Sequence, residues 1–90
     1  MQKKTKILIV DDEPIMRDSL HDWLTDAGHA VLTAGNSEEA LKIIEKEKPG
    51  VAVIDMVLPE TDGLVLLEKA KKINPDLQIV MITAYGSVST

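Results

Sequence analysis

The chain has no cysteine and no phenylalanine, and only one tryptophan and one tyrosine. Without cysteine there is no disulfide framework and no thiolate metal site. With almost no aromatics, the interior of the fold must be aliphatic: Ile, Leu, Val, Ala and Met. Long apolar runs are missing too, so nothing approaches a membrane span, and the N-terminus lacks the apolar stretch of a secretory signal. Nor is there a basic excess. Lys and Arg number 10 against 15 Asp and Glu, a net charge of −5, which argues against this segment gripping a nucleic-acid backbone by itself. A basic cluster, Lys3, Lys4 and Lys6, sits at the terminus. What remains is a 44% apolar chain of 90 residues, enough for one small globular domain, expected to be soluble and cytoplasmic.

Within those bounds the hydrophobic pattern alternates between two periods. Lys6 to Val10 is an unbroken apolar run after its first residue, rich in β-branched side chains and closed by Asp11-Asp12. Such a run suits a central strand covered on both faces. Glu13-Pro14 opens a helix, with Pro where a missing N–H costs nothing. Ile15, Met16, Leu20, Trp23, Leu24 and Ala27 follow at helical spacing, and Gly28 fits a left-handed cap. Ala30 to Ala34 reads as the second strand. Asn36 or Ser37 then caps a helix whose buried stripe is Ala40, Leu41 and Ile44, and Pro49-Gly50 stops it. Val51 to Ile54 is the third strand, ending on Asp55. A loop from Met56 to Gly63 leads to a helix carrying Leu64, Leu67, Ala70 and Ile73, and Gln78 to Ile82 is the fourth strand. Strict alternation of strand and helix predicts a doubly wound parallel α/β sheet with helices on both faces, in the flavodoxin-like strand order 2-1-3-4.

Polar residues stand at the carboxyl ends of these strands, where open α/β sheets bind ligands. Asp11 and Asp12 follow the first strand, Asp55 the third and Thr83 the fourth. With strands one and three adjacent, the three carboxylates converge. They repel, so protonation or a cation must relieve them. An all-oxygen, half-open site suits Mg²⁺, and a carboxylate beside Mg²⁺ is a plausible nucleophile toward a phosphoryl donor. Taken singly, each feature has a plainer reading. An Asp after a strand is often a turn former, Asp62-Gly63 is a common helix entry, and Thr83 fits a strand. Met16, Met56 and Met81 read as core filling, His21 and His29 as surface or rim residues, and the lysines of the second and third helices as solvated faces. The conjunction at one end of the sheet lifts the acidic site above these readings.

Val10-Asp11-Asp12-Glu13-Pro14, Asp55 with Leu58-Pro59 and Asp62-Gly63, and Ile82-Thr83-Ala84-Tyr85-Gly86 together resemble response-regulator receiver domains, in order and at the expected spacing. The resemblance implies a phosphoacceptor at Asp55 and Mg²⁺ held by Asp12 directly, by Asp11 through water, by Asp55 and by the backbone carbonyl of Val57. It implies a switch hydroxyl at Thr83, with the Ala84 backbone nearby. The implied partners are a sensor histidine kinase and an output domain. Thr83-Ala84-Tyr85-Gly86-Ser87 further resembles receivers of σ54-dependent AAA+ activators of the nitrogen regulatory protein C type. Leu58 stands where the family often has Met, a volume-conserving change. The family continues with a fourth helix, a fifth strand carrying a lysine and a switch aromatic, and a fifth helix, roughly 30 residues in all. No lysine follows Lys72 here, so residues 1–90 are expected to be one receiver domain incomplete at its C-terminus. The uncovered edge of the fourth strand would then be a template for another chain, leaving the isolated segment dimeric (a homodimer), swapped or partly unfolded. Other functions weighed are a non-phosphorylated interaction module with a vestigial acid cluster and a Mg²⁺-dependent phosphatase with an Asp nucleophile. The latter wants an acid two residues after Asp55, where Val57 stands. A nucleotide-binding flavodoxin-like domain would need a glycine-rich loop after the first strand, which is absent.

Overall fold

The structure, a computed structural model, describes residues 5–58 and 61–82. Its elements run β1 (Lys6–Val10), α1 (Pro14–Asp26), β2 (Ala30–Ala34), α2 (Ser37–Glu47), β3 (Val51–Asp55), α3 (Gly63–Ile73) and β4 (Gln78–Ile82). All strand pairs are parallel, and the sheet order is β2-β1-β3-β4, as the alternating pattern predicts. β1 is central because its side chains are apolar on both faces. Leu8 and Val10 enter a core shared with Ile54 of β3, Ile44 of α2 and Leu66 of α3. Ile7 and Ile9, at the alternate positions, are buried on the opposite face, where α1 crosses β1 and β2. Each fully buried Leu or Ile contributes about 1.5–3 kcal/mol by leaving water.

Local signals set the helix ends. The Asn36 side chain accepts the Glu39 N–H at 2.9 Å, while Glu39 Oε1 accepts the Gly35 N–H at 2.9 Å. Asp62 Oδ1 accepts the Leu64 N–H at 2.8 Å and so starts α3. Gly28 takes the expected left-handed conformation with φ +99°. α2 ends before Pro49-Gly50, as expected, and Lys48 carries the left-handed turn at φ 51°. Pro49 disfavours the helical conformation at the residue before it, which forces Lys48 out of the helix.

Burial departs from hydrophobic spacing in two helices, and from the core-filling expectation at two methionines. The apolar residues of α1 do not form a buried stripe; Ile15 is 84% and Trp23 71% exposed. They spread around the helix, and only the line Arg17, Leu20, His21 and Leu24 is partly covered by the sheet. In α3 the core stripe is Gly63, Leu66 and Ala70, while Leu64 is 51% exposed and Ile73 is also exposed. Leu64, Val65, Leu66 and Leu67 are apolar at every position, so spacing alone does not fix the buried face. Of the three methionines read as core filling, Met81 packs against the core, whereas Met16 and Met56 are exposed. Finally, Lys71 is more than a solvated charge: its Nζ donates to the carbonyls of Pro75 and Leu77, each at 2.8 Å, and ties down the α3–β4 turn.

Candidate metal and phosphoacceptor site

Adjacency of β1 and β3 brings the acids together. Val10 pairs with Ile54, so Asp11 and Asp55 leave the sheet side by side at its carboxyl edge. One carboxylate oxygen from each of Asp11, Asp12 and Asp55 lies within 4.8 Å of the others. Asp11 is 2% and Asp55 6% exposed, whereas Asp12 faces solvent.

The two buried acids are held by the same local device. Asp11 Oδ1 accepts the N–H of Glu13 at 2.9 Å, and Asp55 Oδ1 accepts the N–H of Val57 at 3.0 Å. Each side chain folds back on the amide two residues ahead, the habit that makes Asp a turn former. The plainer turn-forming role and the site role are therefore compatible, because a carboxylate has a second oxygen. Main-chain bonds extend the support: the Asp11 N–H donates to Ala34 at 3.1 Å and the Met56 N–H to Ile82 at 2.7 Å. Ile82 is also the strand partner of Asp55. Thr83 and Ala84, expected to complete the site, lie outside the described residues, as does Pro59.

Val57, whose carbonyl is the expected fourth ligand, sits in the turn closed by Asp55 and bridges to Asp62. Behind that turn, Gly63 does more than open a helix. A Cβ there would fall 2.6 Å from the Asp55 carbonyl oxygen and 2.8 Å from the Met56 Cα. The Gly63 N–H also donates to the Met56 carbonyl at 2.9 Å. Absence of a side chain thus lets α3 begin against the end of β3 and fixes the backbone on which Asp55 stands. Sequence reading identified the Asp-Gly pair but not this contact, which has no signal beyond the glycine itself.

A second contributor went unnoticed in the sequence. Arg17, the chain's one arginine, reaches back from α1 and donates to the Asp11 carbonyl at 3.0 Å. Its only signal was position, one helical turn past the acidic loop.

The electrostatics invite a cation. Burial raises the Asp11 pKa above its ordinary 3.8; the Glu13 N–H opposes this, and the charges of Asp55, Asp12 and Glu13 push it further up. Neither ion pair among the described residues, Lys6–Glu47 or His21–Asp22, involves these acids. Clustered oxygens, two of them on buried residues and none neutralised by a described side chain, fit a hard divalent ion such as Mg²⁺.

Comparisons with known proteins agree with this geometry. A probable transcriptional regulator, ycf27, of Porphyra purpurea is 44% identical over 86 residues; these are 96% of this chain and 35% of the relative, so the chain spans about a third of it. The receiver domain protein (CheY-like) of Methanospirillum hungatei superposes with a TM-score of 0.89 at 38% identity, over 96% of this chain and 69% of that one. A Burkholderia pseudomallei response regulator, solved with a phosphorylated aspartic acid and a calcium ion, superposes at 0.86 with 32% identity, over 94% and 50%. NtrX of Brucella abortus, solved with ATP, superposes at 0.87 with 38% identity, over 94% and 20%. The sequence profile of the response regulator receiver domain matches residues 7–90, from the first core strand through the acidic site, and the chain belongs to that family.

Proposed function

We propose that the chain is a phosphoacceptor switch of a two-component system, with Asp55 as the acceptor. The observation that carries this is the convergence of Asp11, Asp12 and Asp55 within 4.8 Å at one end of the sheet. A carboxylate oxygen of Asp55 attacks the phosphorus of the donor; an O–P bond forms, and the bond to the leaving group breaks with its electron pair departing on that group. Asp12, Asp11 and Asp55, with the backbone carbonyl of Val57, would hold Mg²⁺, Asp12 directly and Asp11 through water. An ion held there would offset repulsion between the two anionic reactants and steady charge on the transferring oxygens. The Thr83 hydroxyl donates a hydrogen bond to the phosphoryl group on Asp55, with the Ala84 backbone nearby. Fixing Asp55 by the Val57 N–H and the Gly63 contact leaves little reorganisation for the acceptor before attack.

The donor in this reading is a sensor histidine kinase, and the response is passed to an output domain in transcription regulation. The sequence Thr83-Ala84-Tyr85-Gly86-Ser87 points to the σ54-dependent AAA+ type, in keeping with the likeness to ATP-binding NtrX. The segment is a cytoplasmic switch with at most self-catalysed phosphotransfer and binds no nucleic acid itself. No helix among the described residues is long and apolar enough to cross a membrane.

The test is intact-mass spectrometry after incubation with Mg²⁺ and acetyl phosphate. One added phosphoryl group, absent in Asp55→Asn and in chelator, is expected. No adduct in a chain that is folded and binds Mg²⁺ would favour the non-phosphorylated interaction module instead.

A further inference from the structure

We propose that Arg17 is a positioning residue for the cation site, orienting the peptide that joins Asp11 to Asp12. The inference rests on the metal reading above and adds what controls the site's geometry.

Three bonds immobilise Asp11. Its N–H donates to Ala34 of β2, its Oδ1 accepts from Glu13, and its carbonyl accepts from Arg17 Nη1 at 3.0 Å. Among the described residues no backbone N–H donates to that carbonyl, so the guanidinium is the donor that meets it. The carbonyl belongs to the peptide from which Asp12 departs. Asp12 is exposed, and no described group bonds its carboxylate. Its aim toward Asp11 and Asp55 is therefore inherited from the peptide plane that Arg17 holds together with the Glu13 bond to Asp11 Oδ1.

The turn after β2 is shaped to admit the guanidinium. A Cβ at Gly35 would lie 3.0 Å from Arg17 Nη1 and 3.7 Å from Glu39 Oε1. Glu39 in turn holds the Gly35 N–H, which keeps this turn in place. The end of β1, the start of α1 and the turn before α2 thus meet around one side chain. Charge alone does not explain the arrangement, since a fixed positive group beside the site repels an incoming cation. Positioning and charge have opposite signs, which makes the role measurable. Mg²⁺ demands near-ideal octahedral geometry at about 2.0–2.1 Å, whereas Ca²⁺ tolerates irregular ligand sets.

The experiment is calorimetric titration of the chain with Mg²⁺ alone and with Ca²⁺ alone, for wild type, Arg17→Met, Arg17→Lys and Gly35→Ala, each checked for fold by circular dichroism. Loss of an orienting partner costs about tenfold or more in metal affinity. Arg17→Met is expected to lose about that much for Mg²⁺ and clearly less for Ca²⁺. Gly35→Ala, which keeps the arginine but displaces it, should show the same selectivity loss, and Arg17→Lys should recover part of it. Tighter binding of both ions by Arg17→Met would mark Arg17 as a mere repulsive neighbour and overturn the proposal. So would an unchanged Mg²⁺-to-Ca²⁺ ratio in folded variants. Should Arg17→Met fail to fold, Gly35→Ala and Arg17→Lys carry the same contrast. Wild type that binds neither ion would overturn the metal reading itself, and this inference with it.

Discussion

Replacing Asp11 with Asn is expected to stabilise the metal-free domain and to abolish most of its stabilisation by Mg²⁺. Asp11 is almost fully buried, with a carboxylate oxygen within 4.8 Å of one on Asp55. Two unit charges 4.8 Å apart repel by about 3.5 kcal/mol at an effective dielectric near 20. Charge is delocalised over both oxygens and water reaches the open side, so about 1–2 kcal/mol is recoverable by neutralising Asp11. Asn keeps the oxygen that accepts the Glu13 N–H, and the turn survives. In a domain of this size, 1 kcal/mol moves Tm by about 4–8 °C.

The pH dependence follows from the same burial. Folding raises the Asp11 pKa above 3.8, so the native state binds this proton more tightly than the unfolded chain does. The resulting contribution favours folding at low pH and is lost as pH rises from the ordinary value through the raised one. Wild type without metal should show that falling limb, and Asp11→Asn should not. Mg²⁺ at 100 times its Kd adds about 2.7 kcal/mol to a protein that binds it only when folded. Urea unfolding followed by circular dichroism, in chelator and in Mg²⁺, reads all of this. An Asn variant less stable than wild type in chelator at neutral pH would refute the repulsion argument. An equal gain from Mg²⁺ in both proteins would remove Asp11 from the site.

Three further predictions address the framework. Gly63→Ala forces a Cβ against the Asp55 carbonyl and should cost about 2 kcal/mol or more; it should also slow acetyl-phosphate labelling measured in the remaining folded protein. Leu66→Ala should cost about 2–5 kcal/mol and Leu64→Ala under about 0.5 kcal/mol in urea unfolding, since only Leu66 lies in the core; the reverse order would put α3 in a different rotation. Lys48→Gly removes a left-handed lysine and should raise stability by about 0.5–1 kcal/mol with phosphorylation unchanged.

The sheet was legible because each strand is an apolar run interrupted by an unmistakable helix entry, such as Glu13-Pro14 or Asn36 before Glu38-Glu39. Topology then delivered the acid cluster: once β1 and β3 are neighbours, residues just past their ends must meet. The rotation of α3 was not legible, because Leu64 and Leu66 are equally apolar and the choice is made by the Gly63 contact with β3. Exposure of Ile15 and Trp23 escaped for a related reason, as periodicity says where apolar residues recur and not what covers them. Arg17 was invisible as a site residue because its bond to the Asp11 carbonyl joins a side chain to a backbone atom six residues earlier, and main-chain acceptors leave no mark in a sequence.

The most direct test of the central claim is to locate the phosphoryl group. Wild-type protein is treated with acetyl phosphate and Mg²⁺, reduced with borohydride so that an acyl phosphate becomes homoserine, digested and sequenced by mass spectrometry. Homoserine is expected at position 55, dependent on Mg²⁺ and lost in Asp11→Asn and Asp12→Asn. Modification at another carboxylate with Asp55 untouched, or at Asp55 to the same extent in chelator, would contradict it.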